Sequence, residues 1–220
     1  MLISYDKRFI FIHVTNTGGT SIKKALEEYA NEPKRFKVNR PLKTVNGKPN
    51  LLYDIWSSSL LHAKAREVKR ELSEEVYNNF YKFAFVRNPW DWQVSMYHFI
   101  LREESHIRHQ LVKSMHNFDE YIEWLISEKN PFPKGTSKFQ KDHVTDNDGE
   151  LIVDFIGKYE KLEQDFDNIC HLLNITALLP PSKNMAKRDY RLFYTKKSEK
   201  IIEEYFRQDI ELFGYTFDNS

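Results

Sequence analysis

Glycines and hydroxyl side chains follow directly after the first apolar run of the chain. The run Phe9–Val14 is succeeded by the turn Thr15–Ser21, whose sequence is TNTGGTS. Glycines allow a backbone to approach an anion closely, and the free N–H groups at the start of a helix point at it. The turn predicts a phosphate-binding loop, although an ordinary strand-to-helix connection with a hydroxyl cap fits the same residues. The candidate ligand contacts are Thr17, Gly18, Gly19, Thr20 and Ser21.

A second apolar run leads into a residue type that binds phosphates. Phe83–Val86 is followed by Arg87, and Ser95 comes eight residues after Arg87. The planar guanidinium of arginine matches the geometry of a phosphate, and a serine hydroxyl can donate a hydrogen bond to the same group. We therefore expect Arg87 and Ser95 to bind a phosphate. The alternative is that Arg87 pairs with Asp91 on the surface.

Strands that alternate with helices must position these two segments. Phe9–Val14 and Phe83–Val86 are rich in β-branched and aromatic residues, as buried strands are. The alternation predicts an α/β fold with a central, mainly parallel sheet flanked by helices, and ligands bind such sheets beyond the carboxyl ends of the strands. No linker divides the chain, so we expect one domain over residues 1–220. The first predicted helix begins at Thr20. The other predicted helices span Ala63–Phe80, Trp90–Glu103, Phe118–Ser127, Glu160–Leu173 and Thr195–Phe213.

Two local signals refine this outline. Asn117 and Glu120 predict a capping box at the start of the helix Phe118–Ser127. Phe139–Val144 and Leu151–Ile156 flank the turn sequence DNDG, which predicts a hairpin.

Composition excludes several classes of protein. Thirty-three Lys and Arg against 32 Asp and Glu leave a net charge of +1, far from the strongly basic balance of a nucleic-acid binder. The single cysteine, Cys170, excludes an internal disulfide and a cysteine-based zinc site, and it fits a reducing cytosol. No secretory signal and no apolar run of about 18 residues is found, so we expect a cytoplasmic protein without a membrane span.

Together, the two segments resemble the PAPS-dependent sulfotransferases, above all the carbohydrate sulfotransferases. Phe11–Ser21 (FIHVTNTGGTS) resembles the family loop that binds the 5′-phosphosulfate of 3′-phosphoadenosine 5′-phosphosulfate (PAPS). Phe85–Pro89, with Ser95 and Tyr97, resembles the family unit that binds the 3′-phosphate. The resemblance extends over most of the chain through His62–Glu67, Asp154–Phe166, Tyr190–Tyr194 and Leu212–Tyr215.

The resemblance implies a P-loop-kinase-like fold and transfer of a sulfonate group from PAPS to an acceptor hydroxyl. The product nucleotide is then 3′-phosphoadenosine 5′-phosphate (PAP). The acceptor is expected to be a carbohydrate or glycan, or another hydroxyl-bearing small molecule, and the reaction requires no metal. No nucleic-acid partner is expected, and a homodimer is one arrangement that the sequence leaves open.

His62 is the candidate base for such a reaction, because the acceptor hydroxyl must lose a proton and histidine can accept one at neutral pH. The resemblance implies the same role, and a histidine that only caps or packs at a helix start is the alternative. Asn16 departs from the family, which usually has a lysine there that contacts the leaving group or the sulfonate. Lys23 or Lys24 could supply the missing cation.

The segment 182–200 is locally basic. In relatives, a basic loop before the last helix folds over the nucleotide, which implies that Lys187, Arg188 and Tyr190 contact the 3′-phosphate or the adenine. A solvated charged face fits the same composition.

Two other functions remain open. One is a catalytically weak PAP-binding module, in which Asn16 has replaced the lysine that activity needs. The other is a small-molecule kinase that uses ATP and Mg²⁺, although the Gly-Lys-Ser/Thr ending of a Walker A loop is missing.

Overall fold

Three parallel strands and one antiparallel edge strand form the sheet that carries both predicted segments. The computed structural model describes residues 1–30, 62–129, 131–132, 136–180 and 189–218, and the short strands Thr44–Val45 and Lys48–Pro49. The main sheet contains β1 (Leu2–Ser4), β2 (Phe9–Ile12), β5 (Tyr81–Val86) and β6 (Phe155–Lys158), in the order β1-β2-β5-β6. The strands β3 (Thr44–Val45) and β4 (Lys48–Pro49) pair with each other in a separate ribbon.

The register aligns the ends of the parallel strands. Ile12 of β2 lies opposite Ala84 of β5, and Val86 of β5 lies opposite Lys158 of β6. The carboxyl ends of β2, β5 and β6 therefore meet at one edge of the sheet, which is where an open α/β fold binds its ligands.

Alternation along β2 and β5 buries both faces of the sheet. Phe9 and Phe11 of β2 pack on one face, while Ile10 and Ile12 pack on the other. In β5, Phe83 and Phe85 face the first side, and all six of these side chains are at most 1% exposed. Helices must therefore cover both faces, as the prediction of a flanked parallel sheet requires.

The helices follow the strands along the chain. The α-helices of the described residues are α1 (Gly19–Ala25), α2 (Ala65–Glu71), α3 (Glu74–Asn79), α4 (Pro89–Arg102), α5 (His109–Lys113), α6 (Phe118–Ser127), α7 (Leu162–Leu173), α8 (Lys196–Tyr205) and α9 (Arg207–Phe213). Short 3₁₀ turns lie at Glu27–Tyr29, Lys141–His143, Tyr159–Lys161 and Tyr190–Phe193. The predicted α/β fold is confirmed, as are the helices around α1, α4, α6 and α7.

Two predicted helices are each broken once. The prediction of one helix over Ala63–Phe80 is wrong, because Leu72 leaves the helical conformation and the Ser73 side chain accepts a hydrogen bond from Val76 N that starts α3. The prediction of one helix over Thr195–Phe213 is wrong at Phe206, where α8 ends and α9 begins. The predicted ends of the segment Thr195–Phe213 are confirmed. Thr195 caps the start of α8, and Gly214 ends α9 with a positive φ of 63°.

The predicted hairpin around 146–149 is confirmed only as a single antiparallel bridge, and its two predicted strands are wrong. Thr145 and Leu151 form one isolated bridge, and Lys141–His143 is a 3₁₀ turn rather than a strand. Phe155–Lys158 pairs in parallel with β5 instead. The predicted capping box at α6 is half correct: Asn117 accepts from Glu120 N, but the Glu120 carboxylate accepts from His116 N.

Candidate functional site

The predicted phosphate loop joins β2 to α1 in a conformation that glycine makes possible. Gly18 has a φ of 82° and caps α1, and its carbonyl accepts hydrogen bonds from Ser21 N at 3.0 Å and Ile22 N at 3.1 Å. Asn16 also has a positive φ, of 57°, a conformation in which asparagine is enriched among residues other than glycine. These left-handed residues turn the chain so that helix α1 starts beside the end of β2.

The hydroxyls of the loop differ in their availability. Thr17 is 1% exposed, and its hydroxyl donates to Val14 O at 2.9 Å, so this hydroxyl is already engaged. Thr20 is exposed and Ser21 is half-buried. Within the described part of the chain, neither of these two hydroxyls has a hydrogen-bond partner, so both can turn to an anion.

Gly19 allows the His13 ring to pack directly against the loop. A Cβ atom at Gly19 would lie 1.9 Å from His13 Cδ2 and 2.1 Å from His13 Nε2. The histidine at the end of β2 is therefore placed by the absence of a side chain at Gly19.

Replacement of Gly19 by alanine is expected to destabilise the protein, because the Cβ and the His13 ring cannot both keep their positions. Overpacking of this kind costs about 1–3 kcal/mol, which lowers Tm by roughly 2–10 °C at this size. Thermal melts of Gly19→Ala and of Thr20→Ala make the comparison, since the exposed Thr20 side chain should change Tm little. Equal Tm values for the two variants would contradict the close approach.

Helix α4 fixes the loop from the side. Trp92 Nε1 donates to Thr15 O at 2.7 Å, and Asn16 Nδ2 lies 2.7 Å from Met96 Sδ. Trp92 is fully buried, so this end of the loop rests on the core. The Asn16 side chain is thereby turned toward α4.

Arg87 lies one residue beyond β5, and three neighbours hold its guanidinium. Nε donates to Asp91 Oδ2 at 2.6 Å, Nη1 donates to Asn16 O at 3.3 Å, and Cζ lies 4.1 Å from the centre of the Tyr159 ring. The predicted pairing with Asp91 therefore exists, but it is not a surface contact, because the Arg87 side chain is only 14% exposed. Among the described residues, Nη2 has no partner and is the donor left for a ligand.

Ser95 belongs to the same face of α4 as Asp91, one helical turn further on. It is half-buried, and its hydroxyl has no hydrogen-bond partner in the part of the chain that the structure describes. Its neighbour Met96 contacts Asn16. Arg87 thus contacts the loop through Asn16 O, and the assignment of a phosphate to Arg87 and Ser95 stays a prediction.

His62 lies on the other side of the loop, against His13. The two ring centroids are 4.7 Å apart, and His62 Nδ1 is 3.3 Å from His13 O. Because a carbonyl oxygen only accepts hydrogen bonds, Nδ1 carries the proton, and the lone pair lies on Nε2. Burial lowers the pKa of His62 below its ordinary value, more than the hydrogen bond to His13 raises it, so the ring is neutral at pH 7.

A third histidine, His143, lies in this region and is itself neutral at pH 7. It is fully buried, neither ring nitrogen has a hydrogen-bond partner among the described residues, and burial lowers its pKa to about 3. Burial also lowers the pKa of His13 well below its usual range. No motif points to His143, which ends the 3₁₀ turn Lys141–His143 far along the chain from His62.

The third part of the predicted site lies partly outside the described residues, since Lys187 and Arg188 are not among them. Tyr190 is described, is 4% exposed, and accepts a hydrogen bond from Asn88 Nδ2 at 3.4 Å while donating to Phe217 O. Its hydroxyl is therefore occupied by contacts that fix the residue following Arg87.

No group of three or more His, Cys, Asp or Glu side chains among the described residues is arranged to hold a metal ion. No helix among them is both long and apolar enough to cross a membrane.

Comparison with known proteins identifies relatives over almost the whole chain. A family model described as the sulfotransferase family matches residues 1–216. An uncharacterized protein of Archaeoglobus fulgidus is 27% identical over 124 residues, which are 56% of this chain and 91% of that protein. The crystal structure of mouse sulfotransferase SULT7A1 complexed with PAP superposes with a TM-score of 0.54 at 15% identity, covering 95% of this chain and 86% of that chain. At this identity the likeness shows the fold alone.

Proposed function

Since the chain belongs to the sulfotransferase family, we propose that it transfers a sulfonate group from PAPS to a hydroxyl of a carbohydrate acceptor. One observation carries the proposal. The loop after β2 is flanked by Arg87, which donates to Asn16 O at 3.3 Å, and by His62, which lies 3.3 Å from His13 O. A glycine-containing loop, a cationic side chain and a neutral histidine thus lie at the carboxyl edge of the sheet, and this arrangement supports the proposal.

The residues present fit a nucleotide with phosphates at both ends. The Thr20 and Ser21 hydroxyls of the loop are not engaged by described residues, and the left-handed conformation of Gly18, with a φ of 82°, starts helix α1 beside them. We assign the 5′-phosphosulfate to the loop Thr17–Ser21, and the 3′-phosphate to Arg87 and Ser95. PAPS, when bound there, supplies the sulfonate group that is transferred.

His62 accepts the proton in this reaction. Its Nε2 lone pair is free because Nδ1–H is oriented by His13 O, and the acceptor O–H bond breaks as its proton moves to Nε2. The acceptor oxygen gains the sulfonate, and PAP leaves with the electrons of the broken S–O bond. The N–H groups of the loop stabilise the charge that develops on the leaving phosphate.

A cavity beside the His62 segment is the proposed acceptor pocket. It has a volume of about 260 Å³ and combines polar groups with aromatic rings, as pockets for sugars require. Its lining residues are Lys64, Lys129, Pro131, Phe132, Thr136, Ser137, Lys138, Phe139 and Asp142. Lys64 follows His62 by two residues and lies 3.9 Å from Asp142, which precedes His143.

Transfer of labelled sulfonate from PAPS to a panel of mono- and oligosaccharides tests the proposal. We expect a labelled sugar product and stoichiometric PAP without added Mg²⁺. Tight PAP binding without a product from any acceptor would instead support the weak PAP-binding module, which the uncharged Asn16 favours.

The buried free thiol of Cys170 supports the further proposal that the protein acts in the reducing cytosol.

Asn16→Lys is expected to raise turnover. Asn16 carries no charge and contacts Met96 Sδ at 2.7 Å, so the leaving group has no cation at this position. One stabilising donor at such a site is worth about 10²–10³ in rate. Turnover numbers of the wild type and of Asn16→Lys, with Asn16→Gln as the uncharged control, measure the effect. A lower turnover of Asn16→Lys would show that Asn16 belongs to a working site as it stands.

A further inference from the structure

The side chain of Gln140 pairs with the backbone of Arg87. Arg87 N donates to Gln140 Oε1 at 2.9 Å, and Gln140 Nε2 donates to Arg87 O at 2.7 Å. Gln140 is fully buried. Its amide thus satisfies both polar groups of one peptide residue, as a neighbouring strand would.

Asp209 of α9 holds Gln140 in turn. Its carboxylate accepts from Gln140 N at 2.8 Å and from Lys141 N at 3.0 Å, and its side chain is fully buried. Burial of a carboxylate destabilises the folded state unless the carboxylate is hydrogen-bonded. The two bonds from Gln140 N and Lys141 N therefore offset the burial of Asp209. A continuous set of four hydrogen bonds therefore connects α9 with Arg87.

Gln140 pairs with Arg87 at the point where the backbone pairing of β5 with β6 ends. The last paired residues of β5 and β6 are Val86 and Lys158, so Arg87 lies just past the ladder. Gln140 replaces the missing strand at that point and fixes the main chain of Arg87. Asp91, Asn16 O and Tyr159 fix only the far end of the side chain.

We propose that Gln140, held by Asp209, is a positioning residue for the 3′-phosphate site, because it sets the direction in which the Arg87 guanidinium leaves β5. This inference rests on the proposed function, which assigns the 3′-phosphate to Arg87. Gln140 does not itself touch the nucleotide. Its effect is on the selectivity for a nucleotide that carries a 3′-phosphate over one that lacks it.

Gln140→Met tests the inference, because methionine has a similar volume and cannot make either hydrogen bond. Dissociation constants of PAP and of AMP, which lacks the 3′-phosphate, are measured by calorimetry at pH 8 on the wild type and the variant. We expect PAP to bind about tenfold more weakly to Gln140→Met while AMP binding changes less than about twofold. Gln93→Met is the matched control: Gln93 is equally buried, on α4, and accepts from Tyr121 Oη at 3.3 Å. It should leave the PAP-to-AMP ratio unchanged.

Asp209→Asn provides a second variant, which keeps the shape of the Asp209 side chain and replaces one of its two acceptor oxygens, which bind Gln140 N and Lys141 N, by an NH2 group. We expect it to lower the PAP-to-AMP selectivity in the same direction by a smaller factor. Equal weakening of both nucleotides, or an unchanged ratio in both variants, would overturn the positioning role while the proposed function stands. A wild type that shows no preference for PAP over AMP would instead contradict the proposed function.

Discussion

Arg87→Ala is expected to weaken PAP binding by about a hundredfold. Charge-assisted hydrogen bonds contribute about 1.5–3 kcal/mol each, and a phosphate held by a guanidinium loses them together with the charge. The variant also leaves the Asp91 carboxylate, which is 16% exposed, without its cation and facing the ligand. Repulsion between that carboxylate and the 3′-phosphate adds to the loss. Calorimetric titration of PAP into both proteins measures the change.

Two variants separate the role of Arg87 from a general loss of structure. Arg102→Ala removes an arginine at the other end of α4, 52% exposed and paired with Glu103, and should leave PAP binding unchanged. Arg87→Lys keeps the charge but not the planar fork, and should lie between the wild type and Arg87→Ala. PAP affinity that survives in Arg87→Ala would contradict the assignment of the 3′-phosphate to this residue.

His62→Asn is expected to reduce kcat by about 10²–10⁴ while PAP binding stays nearly unchanged. The asparagine amide nitrogen can occupy the position of Nδ1 and still donate to His13 O, so the variant removes only the basic Nε2. His116→Ala is the control, since His116 is an exposed histidine that pairs with Glu120. A His62→Asn protein with normal turnover would exclude His62 as the base.

The pH dependence follows from the same residue. Burial lowers the pKa of His62 from its ordinary value of 6.5, and the buried rings of His13 and His143 add no positive charge at neutral pH. The base is deprotonated above its pKa and is lost as the pH falls through it. We therefore expect kcat/KM to decline on the acid side only below pH 6.5, and the decline to disappear in His62→Asn.

The fold could be predicted where a pattern was local. In FIFI and FAFV, branched and aromatic residues follow one another without a polar interruption, and both runs are strands buried on both faces. The break at Ser73 was missed because the apolar positions Val68, Leu72 and Val76 continue across it in helical spacing. The hairpin was overpredicted because a DNDG turn is a strong signal, whereas the pairing of β6 with β5 depends on residues about 70 positions apart.

Only those site residues that belong to a local sequence motif could be predicted. The loop and Arg87 follow strands, so their meeting at one edge of the sheet follows from the topology. Three residues that hold Arg87 in place belong to no local sequence motif. Tyr159 packs on its guanidinium, Gln140 pairs with its backbone and Asp209 binds Gln140, and they come from three distant parts of the chain. Such contacts are set by tertiary packing, which spacing along one sequence does not reveal.

We propose that one edge of the sheet binds a nucleotide with phosphates at both ends. A thermal-shift titration with PAP, with AMP and with ATP plus Mg²⁺ tests it most directly. At about 100 Kd a specific ligand stabilises by about 2.7 kcal/mol, a rise in Tm of roughly 5–10 °C for a protein of this size. We expect that rise with PAP, without Mg²⁺, and a clearly smaller one with AMP at the same concentration. A rise with Mg²⁺-ATP and none with PAP would contradict it.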